Sequence, residues 1–134
     1  MSLKQYKGSC LCGAVKFQVS PDFSETGKCN CTTCWKLRLW YVRAKPENFK
    51  LLSGEDNLTD FVLASEAHHQ LFCKTCGVHA FHRLNKPQLG GEIVSISVVC
   101  LDGVSDEELA GFPVKYQDGR NNTWWLEPKN KDLL

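Results

Sequence analysis

The residues able to do chemistry are cysteines, eight of them in 134 residues. Seven fall in three tight groups: Cys10 and Cys12 (C-x-C), Cys29, Cys31 and Cys34 (C-x-C-x-x-C), and Cys73 and Cys76 (C-x-x-C). Cysteines one to three positions apart can converge on one ion from a tight turn, and Zn²⁺ takes about four ligands in a tetrahedron. Glycines flank the pairs in GSCLCG and FCKTCG, where sharp turns need permissive backbone. Two pairs make one closed four-sulfur set. The triplet makes an open one, and three protein ligands with a free corner is the arrangement of catalytic zinc. Spacing alone leaves the partnering open, because Cys10 and Cys12 could instead share an ion with the triplet. Each pair does lead through a glycine into a strand-like run (AVKFQV, VHAFHR), as two facing strand-opening turns would. The competing uses are redox chemistry, or a second structural zinc completed at the triplet by a distant histidine or Cys100. A C-x-C spacing disfavours a relaxed disulfide. Cys100, in the β-branched run IVSISVVCL, reads as core.

A zinc-bound thiol is deprotonated at neutral pH. An open three-thiolate site could therefore take a small exogenous thiol as its thiolate, the nucleophile for an aldehyde carbonyl. Three thiolates outweigh one Zn²⁺, so a fourth calls for nearby cations. Lys28, Lys36, Arg38 and Arg43 bracket the triplet. Lys36 and Arg38 are the candidates to supply that charge, Arg38 first because guanidinium would pair through two hydrogen bonds with any carboxylate the thiol carried. His79 is a candidate to support a metal-bound sulfur or a developing oxyanion, against the plainer reading of a half-buried strand histidine. His68 and His69 read as solvated side chains at a hairpin tip. Trp35 and Trp40 could wall a pocket, and Trp124 and Trp125 could pack the C-terminal segment onto the body.

Something must hold these groups in place, and the hydropathy pattern says strands. Ala14–Val19 alternates, with Val15, Phe17 and Val19 on one face. Leu39–Ala44, Phe49–Leu52, Leu58–Leu63, Gln70–Phe72, Val78–Arg83 and Glu92–Val99 are the other candidates, separated by turn-forming Pro, Gly, Asn and Asp. Ser105 followed by Asp106, Glu107 and Glu108 is the one clear helix start, and Gly111 and Pro113 end it soon after. The expectation is an all-β antiparallel fold with zinc knuckles and one short helix, in a single domain spanning 1–134.

Composition narrows the function classes. With 43% hydrophobic and 23% charged residues the chain reads as an ordinary globular domain. A net charge of +1 gives no broad electrostatic case for nucleic acid or an anionic membrane surface. The longest apolar run, Ile93–Leu101, is far short of the roughly 20 residues of a membrane span. The polar start MSLKQYK shows no signal-peptide pattern, so a cytoplasmic setting is expected, where cysteines serve metals more often than disulfides. Seven thiolates against two divalent ions would subtract three charges from the formal +1, making the metallated protein more acidic than its sequence pI of about 7.6.

The ordered set GSCLCGAVKF, CNCTTCWK and FCKTCGVHAFHR resembles the family of glutathione-dependent formaldehyde-activating enzymes, which also includes centromere protein V. The likeness runs from about Gly8 to Arg83 and on through VSISVVCLDG. It implies a β-tent fold and two zinc sites. Cys10, Cys12, Cys73 and Cys76 would hold a structural ion, and Cys29, Cys31 and Cys34 the catalytic one. The implied activity is that of a carbon–sulfur lyase, forming or breaking the adduct of a thiol and an aldehyde, S-hydroxymethylglutathione from glutathione and formaldehyde. After the triplet the chain departs from the family's small, glycine-containing stretch and reads WKLRLWYV, which bears on substrate rather than metal. The alternative is a non-catalytic, zinc-stabilised protein-binding module.

Overall fold

The computed structural model describes residues 4–62 and 68–134. In chain order the elements are β1 (Tyr6–Ser9), β2 (Lys16–Val19), β3 (Thr26–Cys29), α1 (Thr32–Leu37), β4 (Trp40–Ala44), β5 (Phe49–Ser53) and β6 (Leu58–Val62). They continue as β7 (His68–Cys73), β8 (Phe81–Lys86), β9 (Gly91–Ser97), β10 (Leu101–Asp102), α2 (Asp106–Ala110) and β11 (Val114–Gln117). Four strands form one sheet in the order β10-β1-β2-β5, and seven form another, β11-β3-β4-β9-β8-β7-β6. The all-β expectation holds.

The core lies between the sheets. Phe17 of β2 is fully buried and its ring meets Phe49 at 5.5 Å and Phe81 of the larger sheet at 5.9 Å. Alternation in β2 buries Phe17 and Val19, as the sequence pattern requires. Gly8 on β1 stands opposite, where a Cβ would collide with the Phe17 ring. Val42, Val94, Ile96, Phe81 and Leu71 supply the larger sheet's contribution.

The other face of the larger sheet carries a different row. Registers place Arg43 of β4 opposite Ser95 of β9, Ser95 opposite His82 of β8, and His82 opposite Gln70 of β7. Because β9 is covered on both faces, its run Ile93–Ser97 is buried throughout. This is why it reads as nearly continuous rather than alternating.

Several expectations need correction. The fold is not purely antiparallel: β11 runs parallel to β3, pairing Val114–Gln117 with Thr26–Cys29. There are two short α-helices among the described residues, not one. The unforeseen α1 starts inside the cysteine triplet, where Cys31 in extended conformation caps it by accepting the Cys34 N–H at 3.4 Å. The strand expected at Val78–Arg83 begins only at Phe81 and runs on to Lys86. His68 and His69 are not at a tip but open β7, and the expected Gln70–Phe72 strand extends to Cys73. Leu63, the last residue of the expected Leu58–Leu63 strand, lies outside the described residues. The foreseen helix is α2, capped by the Ser105 side chain.

Candidate metal centres and the adjoining cavities

Cys10 and Cys12 sit in the turn from β1 to β2, Cys73 ends β7 and Cys76 lies in the turn that leaves it, so two different sheets converge. Their four sulfurs lie within 4.8 Å of one another. Cys10 Sγ is 3.7 Å from Cys12 Sγ, which is 3.6 Å from Cys73 Sγ. Tetrahedral zinc with bonds of ~2.3 Å separates its sulfurs by about 3.8 Å, so the donor set and spacing fit this ion. Gly13 and Gly77 close the two turns at φ 82° and 76°, in the left-handed region that glycine enters without strain. The Val15 N–H donates to Cys10 Sγ at 3.3 Å and Asn57 Nδ2 to Cys73 Sγ at 3.2 Å. Donation from the Cys76 and Thr75 N–H groups, opposed by desolvation, draws the Cys73 thiol down to about 6.

The triplet is built by the end of β3, the two-residue link of Asn30 and Cys31, and the first turn of α1. Cys29, Cys31 and Cys34 also bring their sulfurs within 4.8 Å of one another, and among the described residues no histidine or carboxylate joins them. Three thiols suit the same soft ion. The Cys31 N–H donates to Cys29 Sγ at 3.3 Å. Hydrogen bonds from the Cys29 and Cys34 thiols, aided by the Cys34 and Thr33 N–H groups, hold the Cys31 thiol far below its ordinary range. Its neighbours push Cys34 the other way.

A second layer fixes the triplet. Asn30, between two of its cysteines, donates to Asp118 Oδ1 at 2.9 Å and accepts the Arg120 N–H at 2.9 Å. Asp118 also accepts from Asn121 at 2.9 Å and Thr123 at 3.0 Å, which lowers its pKa, Asn121 first and Asn30 next. Gly119 leaves no space for a side chain: a Cβ would come within 2.5 Å of the Trp124 ring and 2.7 Å of Cys29 Sγ.

Two cavities adjoin the triplet and share Cys29, Cys34 and Leu39 in their walls. The outer one, about 210 Å³, is lined by Cys29 and Cys34 with Lys28, Arg38 and Trp40. The inner one, about 130 Å³, is lined by all three cysteines and by Tyr41, Arg43, His68, Gln70, His82, Lys86 and Trp124 among others. Tyr41 hydrogen-bonds Gln117, and burial, opposed by Arg43 and reinforced by Cys34 and Cys29, pushes its pKa up to about 12. His82 is 1% exposed and held neutral, its pKa lowered to about 3 by burial and then by His79.

The residues singled out in the sequence are distributed as follows. Arg38 lines the outer cavity but donates to the Leu133 carbonyl at 2.8 Å and stacks on Trp35. Lys36 is exposed on α1 and lines neither cavity. Trp40 does wall the outer cavity, whereas Trp35 lies against Arg38 and Arg120. Trp124 borders the inner cavity, and Trp125 is 71% exposed instead of packing onto the body. Cys100 packs against the core, outside both sulfur groups. His79 is half-buried beside Phe72 and His82. Sequence reasoning missed His82, Gln70 and Ser95, and set His68 in solvent although it borders the inner cavity. The sequence offered little signal: His68 and Gln70 share a face at a two-residue spacing, but the consecutive polar residues in HHQ and HR are ones that alternation cannot sort.

No helix among the described residues is long and apolar enough to cross a membrane. The crystal structure of a Rhodobacter sphaeroides protein matches with a TM-score of 0.69 at 27% identity, over 81% of this chain and 99% of that one. A Phaeosphaeria nodorum protein provisionally named a glutathione-dependent formaldehyde-activating enzyme is 27% identical over 119 residues, 81% of this chain and 63% of its own length. An uncharacterized lyase of Schizosaccharomyces pombe is 27% identical over 79 residues, 56% of this chain and 55% of the lyase. The chain therefore spans less than two-thirds of the length of these curated relatives. The model of one family, described as glutathione-dependent formaldehyde-activating enzyme, matches residues 5–113, a stretch that contains both sulfur groups. With that match over most of its length, the chain belongs to the glutathione-dependent formaldehyde-activating enzyme family.

Proposed function

We propose that this chain is a zinc-dependent enzyme of the carbon–sulfur lyase type, forming or breaking the adduct between a small thiol such as glutathione and an aldehyde. The observation that carries this reading is the triplet itself: three converging sulfurs, joined by no fourth protein donor among the described residues, with two cavities against them. Cys10, Cys12, Cys73 and Cys76 would hold one Zn²⁺ in a closed structural site, and Cys29, Cys31 and Cys34 a second in an open one. When bound at the triplet, zinc supplies the positive charge that keeps an incoming thiol deprotonated at neutral pH.

The chain's own residues do the rest. Lys28 and Arg38 offer positive charge on the outer cavity, where the thiol's carboxylates would lie; Arg38 exchanges its bond to the Leu133 carbonyl for one to carboxylate. Leu39, Leu84 and Trp124 give the inner cavity apolar walls that limit water. The reaction balances without a redox partner. The thiolate sulfur attacks the carbonyl carbon, a C–S bond forms, and the C=O π pair moves to oxygen, which takes up the proton the thiol lost. The reverse breaks the same bond.

Zinc content and glutathione binding, measured on wild type and Cys31→Ser, test this reading. Two zincs per chain falling to one, with glutathione binding lost and the cooperative melt retained, are expected. Unchanged metal content or unchanged glutathione binding would contradict it.

A further inference from the structure

The inner cavity holds more polar chemistry than formaldehyde needs. The row Arg43–Ser95–His82–Gln70 crosses four adjacent strands and faces this cavity. Gln70, Ser95 and His82 are 6%, 4% and 1% exposed. Yet Gln70 Oε1, Arg43 Nε and both ring nitrogens of His82 are buried with no hydrogen-bond partner among the described residues. Leaving such a group unpaired costs roughly 1–3 kcal/mol, so a whole row of them beside a cavity points to a polar occupant.

Charge and size narrow the occupant. Arg43 and Lys86 line the cavity, no Asp or Glu does, and neither cation is in an ion pair among the described residues. The cavity's 130 Å³ is close to the ~150 Å³ of an engineered cavity that holds one benzene. That is too little for a tripeptide and ample for a molecule of a few heavy atoms. The two cavities share Cys29, Cys34 and Leu39 in their walls, so a thiol in one and an electrophile in the other would meet at the triplet.

Resting on the proposed thiol–aldehyde reading, we infer that the inner cavity is the electrophile's subsite and selects a small carbonyl compound carrying a carboxylate, an α-oxo acid of glyoxylate's size. Arg43 and Lys86 hold the carboxylate. Gln70 accepts from, and His82 bonds to, the hydroxyl that appears when the carbonyl becomes the adduct. Thiol and aldehyde combine whole: the C–S bond forms, the carbonyl oxygen gains the thiol's proton, and nothing is oxidised or reduced.

The test compares glyoxylate with formaldehyde as partners of glutathione on the zinc-loaded protein, with adduct formation followed by its ultraviolet absorbance. A parallel NMR titration uses the unreactive probes glycolate and ethylene glycol. Wild type is expected to favour glyoxylate, and glycolate but not ethylene glycol to shift amides of β4 and β8. Arg43→Gln should lower the glyoxylate-to-formaldehyde ratio by about tenfold or more, and Lys86→Gln by a few-fold. Lys86 lies at a strand end with its amine over the Trp124 ring, so its variant keeps the test alive should Arg43→Gln fold poorly. Acceleration of the formaldehyde adduct alone, or a ratio unmoved by both substitutions, overturns this inference and leaves the lyase reading standing. Acceleration of neither adduct overturns both.

Discussion

His82 is the residue whose environment asks most of the fold. Its ring is fully enclosed, both nitrogens are unpaired among the described residues, and burial keeps it neutral with a pKa of about 3. The unfolded chain binds a proton there near pH 6.5. Between about 6.5 and 3 the unfolded state therefore holds more protons than the folded one, and stability falls as pH falls. His82 alone contributes a slope of up to ~1.4 kcal/mol per pH unit within that window and none above it. Denaturant unfolding of wild type and His82→Gln from pH 7 to 4 should show a shallower acid loss in the variant. Parallel curves would rule out a buried neutral histidine.

At the scale of elements, the triplet depends on how β3, α1 and the segment after β11 lock together. The Asn30–Asp118 bond joins them away from the sulfurs, and the close approach at Gly119 packs backbone against Cys29 Sγ. Gly119→Ala would drive a methyl group against Cys29 Sγ and the Trp124 ring. Changes in such supporting contacts typically cost 10–100-fold in metal affinity. We expect a loss of about that size at the triplet in a competitive chelator titration, with the melting temperature little changed; equal affinity would show that this contact is slack. These are also the elements that the sequence hid. The strands β2, β4 and β9 and the helix α2 announce themselves through alternation, a buried β-branched run and a serine cap. In β3 the run TGKC shows no alternation, its glycine being required under the Tyr41 ring. Its parallel partner β11 is distant in sequence. The helix α1 is capped by a cysteine, a residue seldom read as a cap. The row of Arg43, Ser95, His82 and Gln70 looks like a solvated face in the sequence, because alternation cannot distinguish water from a polar cavity. The cysteine grouping was legible because its tight spacing is one that metal ligation would impose and few other constraints produce.

Across the whole molecule the four-sulfur group would act as a clasp once it holds its metal. It draws one pair from each sheet, outside the Phe17–Phe49–Phe81 contacts that join the sheets within the core. A zinc held there supplies folding free energy directly. Cys73→Ser is therefore expected to abolish the cooperative melt, and a transition like that of wild type would show that the clasp is dispensable. Isoelectric focusing under native conditions offers a second check. The zinc-loaded protein should focus below the sequence value of about 7.6, whereas focusing at or above it would mean that the thiols remain protonated. Both checks leave the decisive asymmetry between the two sulfur groups to the metal itself. Zinc-edge X-ray absorption on the fully loaded protein should count about 3.5 sulfurs per zinc, the mean of four and three, rising to about 4 when glutathione is added. A count of 4 before any thiol is added, or one that stays at 3.5 afterwards, would contradict an open site that receives the thiol.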